Sequence, residues 1–197
     1  MKVCLITYAD YYFRSVLSSF EKSKIDFCRS NNIDFIFESI KVSNEKTSWS
    51  KIDLILKHIC MYDAVIICDY DSVVIDTNYN IRPLLEKYKG LSDCVCAELA
   101  NGFTLIGCSI WYNTLNSINV LKRIRQLKID GDMSFLAEEA VFNEVIKTLP
   151  LRIAINNNVN TIYNLHNYDD PFLLHYAGVG NPFKIKQLEQ ERQYNCR

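Results

Sequence analysis

Short β-branched runs alternate with amphipathic helical stretches along the first half of the chain, and this alternation limits the fold more than any other feature. Runs that predict strands lie at Lys2 to Tyr8 and Ile33 to Ile40, and each is followed by a stretch with helical periodicity. The next run, Ala64 to Cys68, is continuously apolar, as in a central strand that is buried on both faces. We therefore predict an α/β fold in which helices flank a central mixed, mostly parallel sheet.

Further elements of both kinds are predicted along the rest of the chain. The additional predicted strands are Cys94 to Leu99, Phe103 to Tyr112, Leu151 to Ile155 and Phe172 to His175. The predicted helices are Trp49 to Met61, Asn80 to Tyr88, Thr114 to Leu127, a helix capped by Asp132 or Ser134 that runs to about Leu149, and a polar C-terminal helix. The two strands on either side of residue 100 can pair antiparallel, and residues 156–170 are predicted to form a loop.

Composition excludes several classes of function. The 197 residues, 49% hydrophobic and 23% charged, predict one globular domain, 1–197, whose core needs no structural metal. The net charge is −1 and the basic residues are scattered, which argues against nucleic acid as a partner. Every apolar run is shorter than the roughly 18 residues that cross a bilayer, so no integral membrane segment is predicted. Eight cysteines without a CxxC pair or a secretion signal favour reduced thiols and a cytoplasmic location.

An acidic pair follows the central apolar run directly. Asp69 and Asp71 flank Tyr70 at the carboxyl end of the predicted strand, where ligands of open α/β sheets bind. Two carboxylates about 5 Å apart repel by about 3 kcal/mol at an effective dielectric constant of about 20, so the pair needs a cation or a shared proton. Mn²⁺ or Mg²⁺ suits such hard oxygen ligands. The alternative is a solvated turn in which the two acids are incidental.

A second segment, FLLHYAGVGNPF, supplies a histidine and a glycine-rich turn. His175 ends an apolar run and is followed by Gly178 and Gly180. Glycines let the backbone approach a phosphate closely. His175 is therefore a candidate third ligand for the cation, and the turn is a candidate diphosphate site.

Taken in order, these segments make the chain similar to a GT-A glycosyltransferase, a fold whose members use an Asp-x-Asp motif to bind a divalent metal and a nucleoside diphosphate sugar. The segments SKIDFCRSNNIDFIF and SWSKIDLILKHICMYDAVIICDYDSVVID resemble the retaining α-galactosyl/xylosyltransferase family. The segment HYAGVGNPF resembles the His-x-x-Gly-x-x-Lys-Pro-Trp pattern of the glycogenin-like retaining family. The resemblance covers roughly residues 1–185 and implies retention of the anomeric configuration.

The resemblance also implies roles for individual residues. It implies a metal site of Asp69, Asp71 and His175. The donor site that it implies consists of Thr7, Tyr8, Lys51, Tyr70, Asn143, Gly178 and Lys184. Within this set, Thr7 and Tyr8 match positions that contact the nucleotide base, with Tyr8 as a stacking partner. Lys184 would substitute for the lysine of the glycogenin-like pattern, whose place Asn181 takes, and Trp49 is expected to be a core anchor.

The segment AEEAVFN resembles the Asp-Gln-Asp-x-x-Asn motif that faces the donor sugar. It places Glu138 at the first position, Glu139 at the second and Asn143 at the last. Glu139 stands where an amide is common, so a carboxylate would lie near the reacting sugar. The alternative interpretation is a solvated acidic first turn of a helix. A second departure lies in the strand LIGCSIWYN, where Ile106, Gly107 and Cys108 replace the usual Asn-Ala-Gly set.

These observations predict a metal-dependent retaining glycosyltransferase. It would move a hexose or pentose from a nucleoside diphosphate sugar, with UDP as the expected nucleotide, to a hydroxyl of a glycan, glycoconjugate or protein acceptor. Same-face attack and a covalent glycosyl intermediate both remain open. Two alternatives have the same fold: a sugar nucleotidyltransferase, whose usual glycine-rich basic loop is absent from YADYYFR, and a non-catalytic nucleotide-sugar or carbohydrate-binding domain.

Overall fold

The computed structural model describes residues 1–40, 47–128, 137–163 and 172–195. The strands are β1 (Val3–Ala9), β2 (Asp34–Ser39), β3 (Ala64–Asp69), β4 (Ser72–Val74), β5 (Cys94–Glu98), β6 (Thr104–Tyr112), β7 (Ile153–Ile155), β8 (Thr161–Ile162) and β9 (Leu173–His175). The helices are α1 (Tyr11–Val16), α2 (Ser18–Asn31), α3 (Ser50–His58), α4 (Arg82–Tyr88), α5 (Leu115–Gln126), α6 (Ala137–Val145) and α7 (Pro182–Asn195). The predicted α/β class is confirmed.

Six strands form the main sheet, in the order β2-β1-β3-β6-β5-β7. Strand β6 runs antiparallel to both of its neighbours, and the other five strands share one direction. The predicted mixed, mostly parallel sheet and the antiparallel pairing of β5 with β6 are therefore confirmed. The register pairs Tyr8 of β1 with Asp69 of β3, so the carboxyl ends of these two strands meet at one edge.

Apolar side chains cover both faces of this sheet, which explains the continuous apolar runs in the sequence. All seven residues of β1 and all nine of β6 are buried. Along β1, Cys4 and Ile6 pack into the cluster on one face, and Val3 and Leu5 pack into the cluster on the other. Trp49 is buried in the first of these clusters, so the prediction that it anchors the core is confirmed.

A second, three-stranded sheet, in the order β4-β9-β8, was not predicted from the sequence. Strand β4 begins directly after Asp71 and pairs antiparallel with β9, with Ser72 opposite His175. Strand β8 lies within the stretch that the sequence predicts to be a loop, and that prediction is wrong for Thr161–Ile162. Strand β9 agrees with the predicted strand at Phe172 to His175, whereas β4 and β8, with three and two residues, are too short to display a hydrophobic period.

The predicted helix caps, the cysteines and the membrane prediction can also be compared with the structure. The predicted capping residues Asp132 and Ser134 lie outside the described residues. Within the described ranges, seven cysteines carry free thiols, and Cys60 is the exposed one among them. In the same ranges no helix combines the length and the apolar character needed to cross a bilayer.

Candidate active site

Asp69, Asp71 and His175 converge at the carboxyl edge of the main sheet. His175 Nε2 lies 3.2 Å from Asp71 Oδ1 and 3.7 Å from Asp69 Oδ2. One potential ligand atom from each of the three residues lies within 4.8 Å of the other two. The convergence predicted from the sequence is confirmed. Two carboxylates and one imidazole in this arrangement fit a divalent cation such as Mn²⁺ or Mg²⁺, in keeping with the chemistry of the donor atoms.

The second sheet delivers His175 to the aspartates. Asp71 immediately precedes β4, and the antiparallel ladder sets Ser72 against His175. The backbone N–H of Tyr176 donates to the Asp71 carbonyl oxygen at 3.1 Å, which extends the ladder by one residue. The backbone around His175 is therefore hydrogen-bonded directly to the backbone around Asp71.

Gly107 of β6 leaves the space that the triad occupies. A Cβ atom at this position would lie 2.7 Å from His175 Cε1 and 2.8 Å from Asp69 Oδ2. Carbon atoms normally approach one another no closer than about 3.5 Å. Any larger residue would push the imidazole or the carboxylate away, so the glycine at this position has a steric function.

Asp69 is oriented by two further side chains. The hydroxyl of Tyr8 donates to Asp69 Oδ1 at 2.6 Å, and Lys51 Nζ lies 3.1 Å from Asp69 Oδ2. Lys51 also pairs with Glu138 Oε1 at 3.0 Å. Burial raises the pKa of Tyr8 well above its usual value, so its hydroxyl keeps its proton and remains a donor.

Charges in the buried part of the site compensate one another. Burial alone would lower the pKa of His175, but the Asp71 carboxylate beside it raises that pKa to about 10. Burial likewise favours the neutral form of Asp71, and the facing His175 nevertheless holds the Asp71 pKa below its usual range. Lys51 does the same for Glu138, whose pKa is also lowered against the effect of burial. Without a cation, the imidazolium and the ammonium therefore offset part of the negative charge of the acidic groups.

Glu139 is fixed by the backbone of β6. Its Oε1 accepts hydrogen bonds from the N–H groups of Ile106 at 3.0 Å and Gly107 at 3.1 Å. The register between β5 and β6 shifts between Val95 and Ala97, opposite this part of β6, which frees these two donors from the ladder. Burial raises the pKa of Glu139, whereas the two donors stabilise its ionised form. Glu138 and Glu139 are each 3% exposed, so the solvated-turn interpretation of this pair is wrong.

A cavity of about 430 Å³ opens beside the triad. Most of the residues predicted for the site line it: Tyr8, Lys51, Asp69, Tyr70, Asp71, Glu138, Glu139, His175 and Gly178. Gly178 and Gly180 have φ angles of 79° and 65°, which suit glycine and let the turn form part of the wall. Leu99, Leu105 and Ile162 give the same cavity an apolar side.

Three predicted donor residues do not line the cavity. Thr7 is fully buried on the face of β1 opposite to Tyr8, because neighbouring residues of a strand point to opposite faces. The Asn143 side chain instead bridges α6 to β6, accepting from the Thr104 N–H at 2.9 Å and donating to the Thr104 carbonyl at 2.8 Å. Lys184 is exposed on α7. Asn181 caps that helix, since its Oδ1 accepts from the N–H groups of Phe183 and Lys184 at 3.0 and 3.3 Å.

The chain is similar to known proteins in structure and not in sequence. No family model matches the sequence, and no curated protein sequence matches it. A glycosyltransferase involved in the glycosylation of the major capsid of PBCV-1 superposes with a TM-score of 0.77 at 12% identity, over 96% of this chain and 100% of the other. The galactosyltransferase LgtC, solved with donor and acceptor sugar analogs, has a TM-score of 0.59 at 13% identity, over 95% of both chains. The chain has the GT-A glycosyltransferase fold.

The likeness extends to parts of longer GT-A chains. GlyE of Streptococcus pneumoniae TIGR4 gives a TM-score of 0.64 at 14% identity, over 91% of this chain and 55% of the other. At identities this low, the likeness establishes the fold, and the chemistry has to be argued from the site.

The sequence did not predict three residues that line or support this site. Asp10 lines the cavity and caps α1 by accepting from the Phe13 N–H at 2.8 Å, a function that its position after a strand could have indicated. Asn160 lines the cavity and contacts His175. Lys24 is fully buried beneath the Asp69–Ser72 loop and donates to the carbonyl oxygens of Tyr70, at 3.2 Å, and Ser72.

Proposed function

We propose that this chain is a metal-dependent retaining glycosyltransferase that uses a nucleoside diphosphate sugar. The observation that carries the proposal is the convergence of Asp69, Asp71 and His175 within 4.8 Å beside a 430 Å³ cavity in a GT-A fold. We propose Mn²⁺ or Mg²⁺ as the cation and a UDP-sugar carrying a hexose or pentose as the donor. The acceptor would be a hydroxyl group of a glycan, a glycoconjugate or a protein, and residues 1–197 would act as one catalytic domain.

The three side chains of the triad would hold the cation. When bound, a divalent cation neutralises the negative charge that develops on the departing diphosphate. Tyr8 and Lys51 hold Asp69 from two sides, which fixes the carboxylate before the donor arrives. The turn at Gly178 and Gly180 offers backbone close to the triad, as diphosphate binding requires.

The paired acids of α6 would face the donor sugar. Glu138, already paired with Lys51, is suited to accept a hydrogen bond from a sugar hydroxyl. Glu139 is suited to stabilise positive charge on the sugar ring or to attack the anomeric carbon, since its carboxylate is held rigidly by two backbone donors at the cavity wall. In the first case the acceptor attacks from the face that the diphosphate leaves. In the second, two inversions give overall retention.

Donor binding is the first test of this function. UDP- and GDP-sugars would be screened by thermal shift with Mn²⁺, where a ligand at 100 times its Kd stabilises the protein by about 2.7 kcal/mol. Release of UDP from the best donor is then measured with and without Mn²⁺. We expect Asp71→Asn to lose the metal-dependent release and Asp76→Asn, an exposed acid nearby, to keep it. Donor binding without metal-dependent release of UDP would instead support a non-catalytic binding domain.

The two glutamates are separated by a pair of matched substitutions. Glu139→Gln should abolish transfer if the residue is the nucleophile, because an amide cannot form the glycosyl ester. Glu138→Gln should mainly raise the KM for the donor, because an amide oxygen can still accept a hydrogen bond. If Glu139→Gln retains full transferase activity, covalent catalysis by Glu139 is excluded.

A further inference from the structure

Asn160 is a fully buried amide at the inner wall of the cavity. It follows the 3-10 turn Asn157–Val159 and precedes β8, which pairs in parallel with β9. Its exposed fraction is 0%, and it belongs to the cavity lining. A polar side chain this deeply buried is costly unless its groups find partners.

One end of the amide already has a partner. Asn160 Oδ1 lies 2.8 Å from His175 Nδ1. An amide oxygen can only accept, so Nδ1 must carry the proton of this hydrogen bond. In the neutral imidazole, Nε2 then has the free lone pair, and Nε2 is the atom that faces Asp71 at 3.2 Å. The reverse orientation of the amide would put the proton on Nε2, which could then not ligate a cation.

Among the described residues, the other end of the amide has no partner. Asn160 Nδ2 is buried and makes no hydrogen bond to any of the described residues. Its two N–H donors belong to a residue that contacts His175 and lines a cavity otherwise rich in acids. A ligand that satisfies them must bring acceptor oxygens into the site next to His175. The oxygens of a metal-bound diphosphate meet this requirement.

We propose that Asn160 acts on both components of the substrate complex. Its Oδ1 holds His175 in the tautomer whose Nε2 can ligate the cation, and its Nδ2 donates to an oxygen of the donor diphosphate. The inference rests on the proposed function. It adds to that function a residue that positions a metal ligand with one atom and binds the donor with the other.

Three variants test the positioning role. Their Mn²⁺ affinity is measured by calorimetry in the absence of nucleotide. Asn160→Ala removes the acceptor for Nδ1 and should weaken Mn²⁺ binding by about 10- to 100-fold, the usual effect of losing such a partner. Asn160→Asp keeps an acceptor at the same place and should retain Mn²⁺ affinity. Asn158→Ala, a neighbouring asparagine outside the cavity lining, should bind Mn²⁺ like the wild type. Wild-type Mn²⁺ affinity in Asn160→Ala would overturn the positioning role.

The donor role is tested without changing the charge of the site. The side-chain amide resonances of Asn160 are assigned in ¹⁵N-labelled protein by their absence from Asn160→Asp. With diamagnetic Mg²⁺ present, UDP should shift these resonances and uridine should not. Unshifted Asn160 resonances at saturating UDP would overturn the donor role. If the wild type binds neither Mn²⁺ nor UDP, the proposed function itself fails. If the wild type binds both, but the Asn160 variants bind Mn²⁺ normally and the Asn160 resonances do not shift, only this inference is refuted.

Discussion

Replacing Gly107 with alanine tests the steric basis of the proposed metal site. Gly107 does not have a positive φ, so alanine should cause no backbone strain at this position. Its Cβ would nevertheless lie 2.7 Å from His175 Cε1 and 2.8 Å from Asp69 Oδ2. To restore a normal carbon contact of about 3.5 Å, the imidazole must move by roughly 0.8 Å. We expect the side chains to take up this shift, because the Gly107 N–H is bound to Glu139 and β6 is paired with β3 from Cys108 onwards.

Such a displacement is large for a metal site and modest for the fold. Ligand distances in metal sites hold to within about 0.2 Å, so a shift of roughly 0.8 Å should remove His175 from the coordination sphere or distort it. We expect Mn²⁺ affinity to fall by about 10- to 100-fold, or about 1.4 to 2.8 kcal/mol of binding free energy. One extra methyl group in a packed interior should lower the free energy of unfolding by about 1 to 3 kcal/mol.

Calorimetric titration with Mn²⁺ and urea denaturation measure the two effects separately. Ser109→Thr, which adds a methyl group to the same strand away from the triad, is the matched control. It should lose stability and keep its Mn²⁺ affinity. A folded Gly107→Ala protein that binds Mn²⁺ within twofold of the wild type would refute the reasoning, because the contact at 2.7 Å would then have no consequence for the ligands.

Three further predictions concern residues around the site and the fold. Asp93→Ala should lower the free energy of unfolding by about 2 to 3 kcal/mol at pH 7, since the buried carboxylate accepts from the Arg152 backbone and guanidinium. Burial favours the neutral form of Asp93, but Arg152 holds the Asp93 pKa well below its usual value. The difference in unfolding free energy between wild type and Asp93→Ala, measured by urea denaturation, should therefore shrink as the pH falls below about 4. A difference that stays constant with pH would contradict the ion pair. Lys24→Met should lower the free energy of unfolding by about 2 kcal/mol and weaken Mn²⁺ binding, because the carbonyl oxygens of Tyr70 and Ser72 lose their donor. Unchanged Mn²⁺ affinity would show that Lys24 does not support the proposed metal site. Asn181→Ala should cost about 1 kcal/mol through loss of the α7 cap, with little effect on UDP affinity measured by calorimetry, and a large loss of affinity would indicate donor contact instead.

The parts of the site that the sequence predicts are those set by the edge of a parallel sheet. Asp69 and Asp71 follow a continuously apolar run, and such a run places its carboxyl end at the ligand edge. His175 was expected at the same place because of the glycine turn that follows it. The main sheet was equally predictable, since five of its six strands have five to nine residues, enough to show their burial pattern.

The other residues of the site depend on contacts between distant segments, which the local sequence pattern does not indicate. Lys24 lies in a helix, where a lysine is ordinarily predicted to face solvent, and its burial depends on a loop far along the chain. Asn160 ends an asparagine-rich stretch that predicts a turn. The error at Thr7 has a different origin, because the alternation of a strand places the side chains of Thr7 and Tyr8 on opposite faces of the sheet.

The pairing of β4 with β9 has a consequence for the order in which the protein matures on the ribosome. All six strands of the main sheet have been synthesised by Ile155, whereas β9 is completed only at His175. Domains synthesised from the N-terminus can begin to fold before their last segments emerge. A nascent chain that has assembled its main sheet therefore still lacks the imidazole beside Asp71. The proposed cation site is therefore completed late in synthesis, and chains cut before Leu173 would lack it even where their main sheet is intact.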